Sequence, residues 1–253
     1  MESTFSLSGK VILVTGASSG LGARFAKLMA AEGATVAMAA RRVERLKELR
    51  AEIEADGGQA HVYAMDVTDA GSVRDAIARV DEEFGRIDVL VNNSGVSASG
   101  RLLDMTAEDY DYVMNTNTKG AFFVAQQTAK VMIAKKTPGR IINIASVAGL
   151  RVLSGIGVYC MSKAAVVQMT KAMALEWGKY GINTNAICPG YIRTEINSDY
   201  FDSDAGQKLI NILPRRRVGK VDDLDGLLML LASDASSFMN GSIIAADDGL
   251  SVG

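Results

Sequence analysis

The chain predicts an α/β fold, a doubly wound parallel sheet of seven strands flanked by helices, and three observations carry that prediction. Short apolar and β-branched runs alternate along the sequence with longer stretches of helical periodicity, the pattern of strands joined by crossover helices. Those short runs lack the polar alternation of a sheet with one wet face, so they read as strands covered on both sides. The first of them leads directly into a glycine turn and then an apolar-periodic stretch, a strand–turn–helix unit.

The elements follow in order. Strands are expected at 11–15, 35–39, 62–66, 89–92, 140–145, 183–188 and 242–246, with helices between them. Right-handed crossovers then make the sheet parallel. Two long helices are expected at 107–136 and 158–180, each with more apolar positions than one sheet-facing stripe requires, which suits a second buried face between subunits. The three prolines, Pro138, Pro189 and Pro214, all fall in connections. No linker rich in Pro, Gly or Ser interrupts the 253 residues, of which 48% are hydrophobic and 22% charged, so residues 1–253 read as one domain. The irregular, partly apolar stretch 191–218, with Tyr200, Phe201, Leu209, Ile210 and Leu213, is expected to close over a site as a lid. Residues 97–103 and 150–158 would complete that pocket.

The chemistry is carried by Tyr159 and Lys163, thirteen and seventeen residues after Ser146. On a helix Tyr159 and Lys163 are i and i+4 and share a face, so the ammonium can act on the phenol. Bringing a phenol from its ordinary pKa of about 10 toward neutrality needs about 4 kcal/mol of differential stabilisation, within reach of a lysine helped by a cationic nicotinamide. Ser146 ends the apolar run 140–145, at the carboxyl edge of the sheet where open α/β folds bind ligands. At the other end of the chain, Gly16, Ser18, Ser19, Gly20, Leu21 and Gly22 form a turn that lets backbone N–H groups approach a pyrophosphate at a helix N-terminus.

Taken together, these motifs resemble the short-chain dehydrogenase/reductase family. Its Thr-Gly-x-x-x-Gly-x-Gly pattern stands here at 15–22, and the resemblance covers essentially the whole chain, with a single-domain Rossmann fold as its implication. It implies an adenine contact at Asp66 and Val67, a cofactor turn containing Asn93 and Gly95, and a nicotinamide-contacting loop at Pro189, Gly190, Ile192 and Thr194. It further implies a catalytic set of Asn117, Ser146, Tyr159 and Lys163, with Tyr159 and Lys163 also touching cofactor and Asn117 holding a proton-relay water. Two departures stand out: Ser94 where the family has alanine, and Asp247-Asp248-Gly249 where it has Asp-Gly-Gly.

The expected reaction is hydride transfer between a nicotinamide and a carbonyl carbon, interconverting ketone and secondary alcohol. After the second strand the chain carries Ala40, Arg41 and Arg42 where an NAD enzyme would place an acid for the ribose hydroxyls, so NADP(H) is expected over NAD(H). Reduction of β-ketoacyl thioesters on a carrier protein or coenzyme A, as in 3-oxoacyl-carrier-protein reductases, is the leading substrate reading. The alternatives are a dehydrogenase of another secondary alcohol, polyol or steroid-like compound, and a non-catalytic NADP(H)-binding regulator. The resemblance also implies a homotetramer.

Other classes are disfavoured. A net charge of −2 with scattered basic residues gives no nucleic-acid footprint. The one basic cluster, 215–217, reads as a solvated face beside the lid, or as an attractor for an anionic substrate handle. No run reaches membrane-spanning length and no signal peptide opens the chain, so a cytoplasmic location is expected. With two cysteines and one histidine there is no metal-ligand cluster; Cys160 reads as packing, and His61 as a residue at the start of the third strand.

Overall fold

The computed structural model describes residues 4–195 and 197–252. In chain order the elements are β1 (Val11–Thr15), α1 (Gly20–Ala31), β2 (Thr35–Ala40), α2 (Val43–Ala55), β3 (Gln59–Ala64), α3 (Ala70–Phe84) and β4 (Val89–Asn92). They continue with α4 (Ala107–Met114), α5 (Ala121–Lys135), β5 (Gly139–Ile144), α6 (Gly157–Trp177), β6 (Ile182–Pro189), α7 (Ser198–Asp202), α8 (Asp204–Ile212), α9 (Asp225–Ala232) and β7 (Ile243–Ala246). All seven strands pair in parallel in the order β3-β2-β1-β4-β5-β6-β7. The order reverses between β1 and β4, which opens a crevice at their carboxyl ends.

Alternation along the strands feeds two apolar layers. Ile12, Val14, Val36, Met38 and Val91 pack against Phe25 and Met29 of α1, Leu46 and Leu49 of α2, and Leu228 and Leu231 of α9. Val11, Leu13, Ala37 and Leu90 pack on the other face against Val73, Ile77 and Val80 of α3, Val124 and Met132 of α5, and Met173 of α6. Neighbours in sequence therefore serve opposite layers, which explains the continuous apolar runs.

The structure departs from the sequence expectation in three places. β3 begins at Gln59 rather than 62 and ends at Ala64. It is an edge strand, paired only with β2, so its polar Gln59 and His61 are tolerated and hid its start. His61 consequently lies inside the strand, where its Nδ1 is 2.7 Å from Glu83 and its ring meets Phe84 edge-on. Second, the stretch 107–136 is not one helix: a π-helical turn, Asn115–Gly120, separates α4 from α5. Gly120 permits it, since a Cβ there would stand 2.8 Å from the Val67 carbonyl oxygen and 3.0 Å from the Val67 side chain. Third, 191–218 is not irregular but contains α7 and α8.

Gly120→Ala should destabilise the protein by about 1–3 kcal/mol, the usual cost of overpacking, measured by urea unfolding.

Candidate active site

The carboxyl ends of β1, β4, β5 and β6 border a cleft of about 650 Å³, within the range of small-molecule sites. One end of it is built by glycine. Gly16 and Gly20 have φ of 65° and 55°, a conformation that disfavours side chains. A Cβ on Gly22 would lie 2.3 Å from the Gly16 carbonyl oxygen, so the turn folds onto the first turn of α1 only because Gly22 has none. Ser19, at the N-cap of α1, makes no side-chain cap hydrogen bond, and the first turn carries no acid. Those backbone donors are thus available to an anion, as a pyrophosphate requires.

Thr15 clasps the two strands at the switch point. Its hydroxyl accepts from the Asn93 and Ser94 N–H groups at 3.0 and 3.1 Å, while Asn93 Nδ2 donates to the Thr15 carbonyl at 3.0 Å. Thr15 is fully buried, so these bonds also satisfy polar groups that cannot reach water. Further along, Ala40 ends β2 and Arg42 donates from Nε and Nη2 to the Ser18 hydroxyl at 3.2 and 3.0 Å, and from Nη2 to Ser19 at 2.6 Å. At Asp66 burial favours the neutral acid, but hydrogen bonds from the Thr68 N–H and hydroxyl, at 2.9 and 2.7 Å, and the charge of Arg41 outweigh it. The carboxyl is held below its ordinary range.

The other end of the cleft holds Ser146, Tyr159 and Lys163. Ser146 follows β5 in an extended conformation and its hydroxyl accepts from the Ala148 N–H at 3.1 Å. Lys163 is buried; its Nζ donates to the Ile144 carbonyl at 2.8 Å and lies 5.7 Å from the Tyr159 ring centroid. The side chains alone do not supply the depression of the Tyr159 pKa expected with a cationic nicotinamide beside Lys163. Burial pushes the phenol up, and the hydrogen bond with Ser146 only partly opposes it. Burial likewise pulls Lys163 down to about 8, which still leaves it mostly an ammonium at neutral pH.

Asn117 stands behind this wall. Its Oδ1 accepts from the Val96 N–H at 2.8 Å, and its Nδ2 donates to the Val96 carbonyl at 2.8 Å and to the Ser162 hydroxyl at 3.0 Å. Ser162 in turn donates to the Tyr159 carbonyl at 2.8 Å. Both donors of the Asn117 amide are therefore committed.

Of the residues expected from sequence, all line the cleft except Gly22, which packs beneath the glycine turn, and Asn117, which is buried behind it. The cleft also takes in Met65, Thr68, Ser94, Val96 and Thr116, which sequence reasoning did not assign. Thr68 had a readable signal in its Asp-x-Thr spacing from Asp66. Thr116 had none. The substrate walls differ from expectation as well. Of 97–103 only Ser97 lines the cleft, and of 150–158 only Leu153 and Ile156 do. The two walls are joined, with the Gly100 N–H donating to the Gly155 carbonyl at 2.9 Å. Cys160 has a packing role with a polar handle, its sulfur accepting from the Leu153 N–H at 3.4 Å. Of the stretch expected as a lid, Tyr191, Ile192, Thr194 and Asn197 are the described residues that reach the cleft; Phe201 is buried against Tyr191 and Tyr200. Among the described residues no helix is long and apolar enough to cross a membrane.

A family model described as enoyl-(acyl carrier protein) reductase matches residues 16–251. A gluconate 5-dehydrogenase of Gluconobacter oxydans is 39% identical over 249 residues, covering 98% of this chain and 97% of its own. A 3-oxoacyl-[acyl-carrier-protein] reductase, FabG, of Thermotoga maritima is also 39% identical, over 244 residues, covering 96% and 98%. The crystal structure of a gluconate 5-dehydrogenase from Burkholderia cenocepacia, in complex with NADP and tartrate, superposes with a TM-score of 0.94 at 36% identity, covering 99% of this chain and 98% of that one. With the glycine turn, the serine, and the tyrosine and lysine one helical turn apart converging on one cleft, the chain belongs to the short-chain dehydrogenase/reductase family, oxidoreductases that use NAD(P).

Proposed function

We propose that the protein interconverts a ketone and a secondary alcohol by direct hydride transfer, with NADP(H) as its preferred dinucleotide. The observation that carries this reading is the convergence of Ser146, Tyr159 and Lys163 on one end of a cleft whose other end holds Arg41 and Arg42. A bound nicotinamide dinucleotide supplies or accepts the hydride. Tyr159 gives its proton to the oxygen that becomes an alkoxide, and Ser146 donates a hydrogen bond to the same oxygen, stabilising charge where it develops. Lys163 holds the nicotinamide ribose, and the backbone donors of the glycine turn hold the pyrophosphate. Asn117 fixes the Val96 backbone to α6 through its side-chain amide.

NADP(H) preference is supported by Ser18, Arg41 and Arg42, a cluster of donors at the end of β2 without the acid that would repel a 2′-phosphate. For the substrate, the polar lining from Ser94, Ser97 and Asn197 favours a hydroxylated compound such as a polyol or sugar acid. The gluconate 5-dehydrogenase relatives agree with that reading. The apolar side of the site, Leu153 and Ile156, together with the FabG relative, favours the second reading, a β-ketoacyl thioester. Exposed Tyr110 of α4, Phe122 of α5, and Met161 and Leu175 of α6 support a contact face between subunits on these helices, which suits the homotetramer that the resemblance implies.

Tyr159→Phe should lower kcat/KM at least about a hundredfold with whichever substrate turns over, gluconate or a short β-ketoacyl thioester; near-normal turnover would sink the mechanism. In the protein alone burial raises the Tyr159 pKa, which favours the protonated phenol at neutral pH. Ketone reduction should then be flat there, and alcohol oxidation, which needs the phenolate, should rise with pH. Arg41→Asp and Arg42→Ala should each lower the NADPH/NADH ratio of kcat/KM by about tenfold or more, since each removes a charge-assisted contact. Light scattering should return four times the chain mass, and a mass of one chain would refute the assembly.

A further inference from the structure

We propose that Asp248 is a positioning residue for the lid: through Arg215 and Arg217 its carboxylate fixes the lid's exit segment to the C-terminal turn and thereby sets substrate affinity. The link to substrate affinity rests on the ketone–alcohol reading above; the attachment itself does not.

The lid leaves and rejoins the body at a narrow neck. There the Arg193 N–H donates to the Gly219 carbonyl and the Gly219 N–H to the Tyr191 carbonyl, both at 2.8 Å. The neck fixes the two ends of the lid, and near its entry Glu195 lies 3.6 Å from Arg45 of α2. The attachment at its exit is ionic as well. Arg215 Nη1 lies 3.0 Å from Asp248 Oδ1, Arg217 Nε 2.8 Å from Asp248 Oδ2, and Arg217 Nη1 3.1 Å from Asp223. These two arginines are thus paired within the protein rather than presented to an anionic substrate handle.

The backbone is bent to make that joint. Among the described residues the non-glycine positions with positive φ are Lys136, Arg216 at 51° and Asp248 at 57°, so two of the three lie here. The left-handed residue Arg216 turns the chain so that its neighbours converge on one carboxylate. Asp248 occupies a conformation that glycine adopts at less cost, and the family pattern has glycine at this position. What the aspartate adds is the carboxylate, and both arginines use it.

The C-terminal turn is itself held. The Asp247 carboxylate accepts from the Gly249 N–H at 3.1 Å and the Ser251 N–H at 2.7 Å, and the Leu250 carbonyl accepts from Arg151 in the opposite wall of the substrate site. Lid exit and opposite wall therefore meet on one turn. Between the lid exit and the C-terminal turn lies a cavity of about 230 Å³, bordered by Tyr191, Leu213, Arg217 and Asp248, and the ion pairs span its rim. Exposed ion pairs weaken with salt.

Asp248→Gly and Asp248→Asn both tolerate the left-handed conformation and remove the charge, so the fold is retained in each. In the absence of substrate, hydrogen–deuterium exchange over 198–212 should be faster in both variants than in the wild type. With substrate at low salt, KM should rise about three- to tenfold with kcat within about twofold, the scale of a small ion-pair network. The NADPH Kd from fluorescence titration should not move. Raising salt from about 0.05 to about 0.5 M should lift the wild-type KM toward that of the variants, whose own KM stays flat. Unchanged exchange in both variants would overturn the attachment, and faster exchange with unchanged KM and salt response would overturn its link to affinity. Failure of the ketone–alcohol reading shows separately, as near-normal turnover in Tyr159→Phe.

Discussion

The side-chain amide of Asn117 is the joint on which the site depends. One group, 1% exposed, ties the turn after β4 to the helix that carries the tyrosine and lysine, through Val96 on one side and Ser162 on the other. The π turn is what aims it there. In a buried setting each unmade hydrogen bond costs about 1–3 kcal/mol, so the amide has one orientation that satisfies it and the three segments share that geometry. Thr15 does the corresponding work at the cofactor end, where its hydroxyl binds two successive N–H groups of β4's following turn. Between these two clasps the chain after β4 is held at both margins of the cleft.

Burial governs the chemistry inside that frame. It favours the protonated Tyr159 phenol and lowers Lys163 to about 8, so in the protein alone a phenol rather than a phenolate stands beside the lysine. A protonated phenol beside a serine hydroxyl is a ready donor pair for a carbonyl oxygen. Buried dipoles that need no rearrangement as charge develops are the economical way to stabilise an alkoxide.

Much of this was legible in the sequence because the signals are local. Gly16, Gly20 and Gly22 are read from a turn that only glycine can make, and Tyr159 with Lys163 from a spacing that fixes one helix face. The strands are read from apolar runs, and fail where an edge strand carries Gln59 and His61. What could not be read is set by distant contacts. Nothing near Asn117 distinguishes a π turn from ordinary helix, because the partner that makes it favourable, Val96, lies 21 residues away. Phe201 and Leu213 announce burial without saying which surface buries them: Phe201 fills the lid's own interior, and Leu213 faces the small cavity rather than the cleft. The pairing of Arg215 and Arg217 with Asp248 spans 33 and 31 residues, beyond any local pattern.

The central claim is that this cleft moves a hydride directly between nicotinamide and a carbonyl carbon while Tyr159 handles the proton. The most direct measurement is a single turnover with NADPH deuterated at the transferring C4 position, followed by mass spectrometry and NMR of the alcohol. Deuterium on the carbinol carbon, at one atom per molecule and in one configuration, is the predicted result. Deuterium lost to solvent, or found at any other carbon, would contradict it.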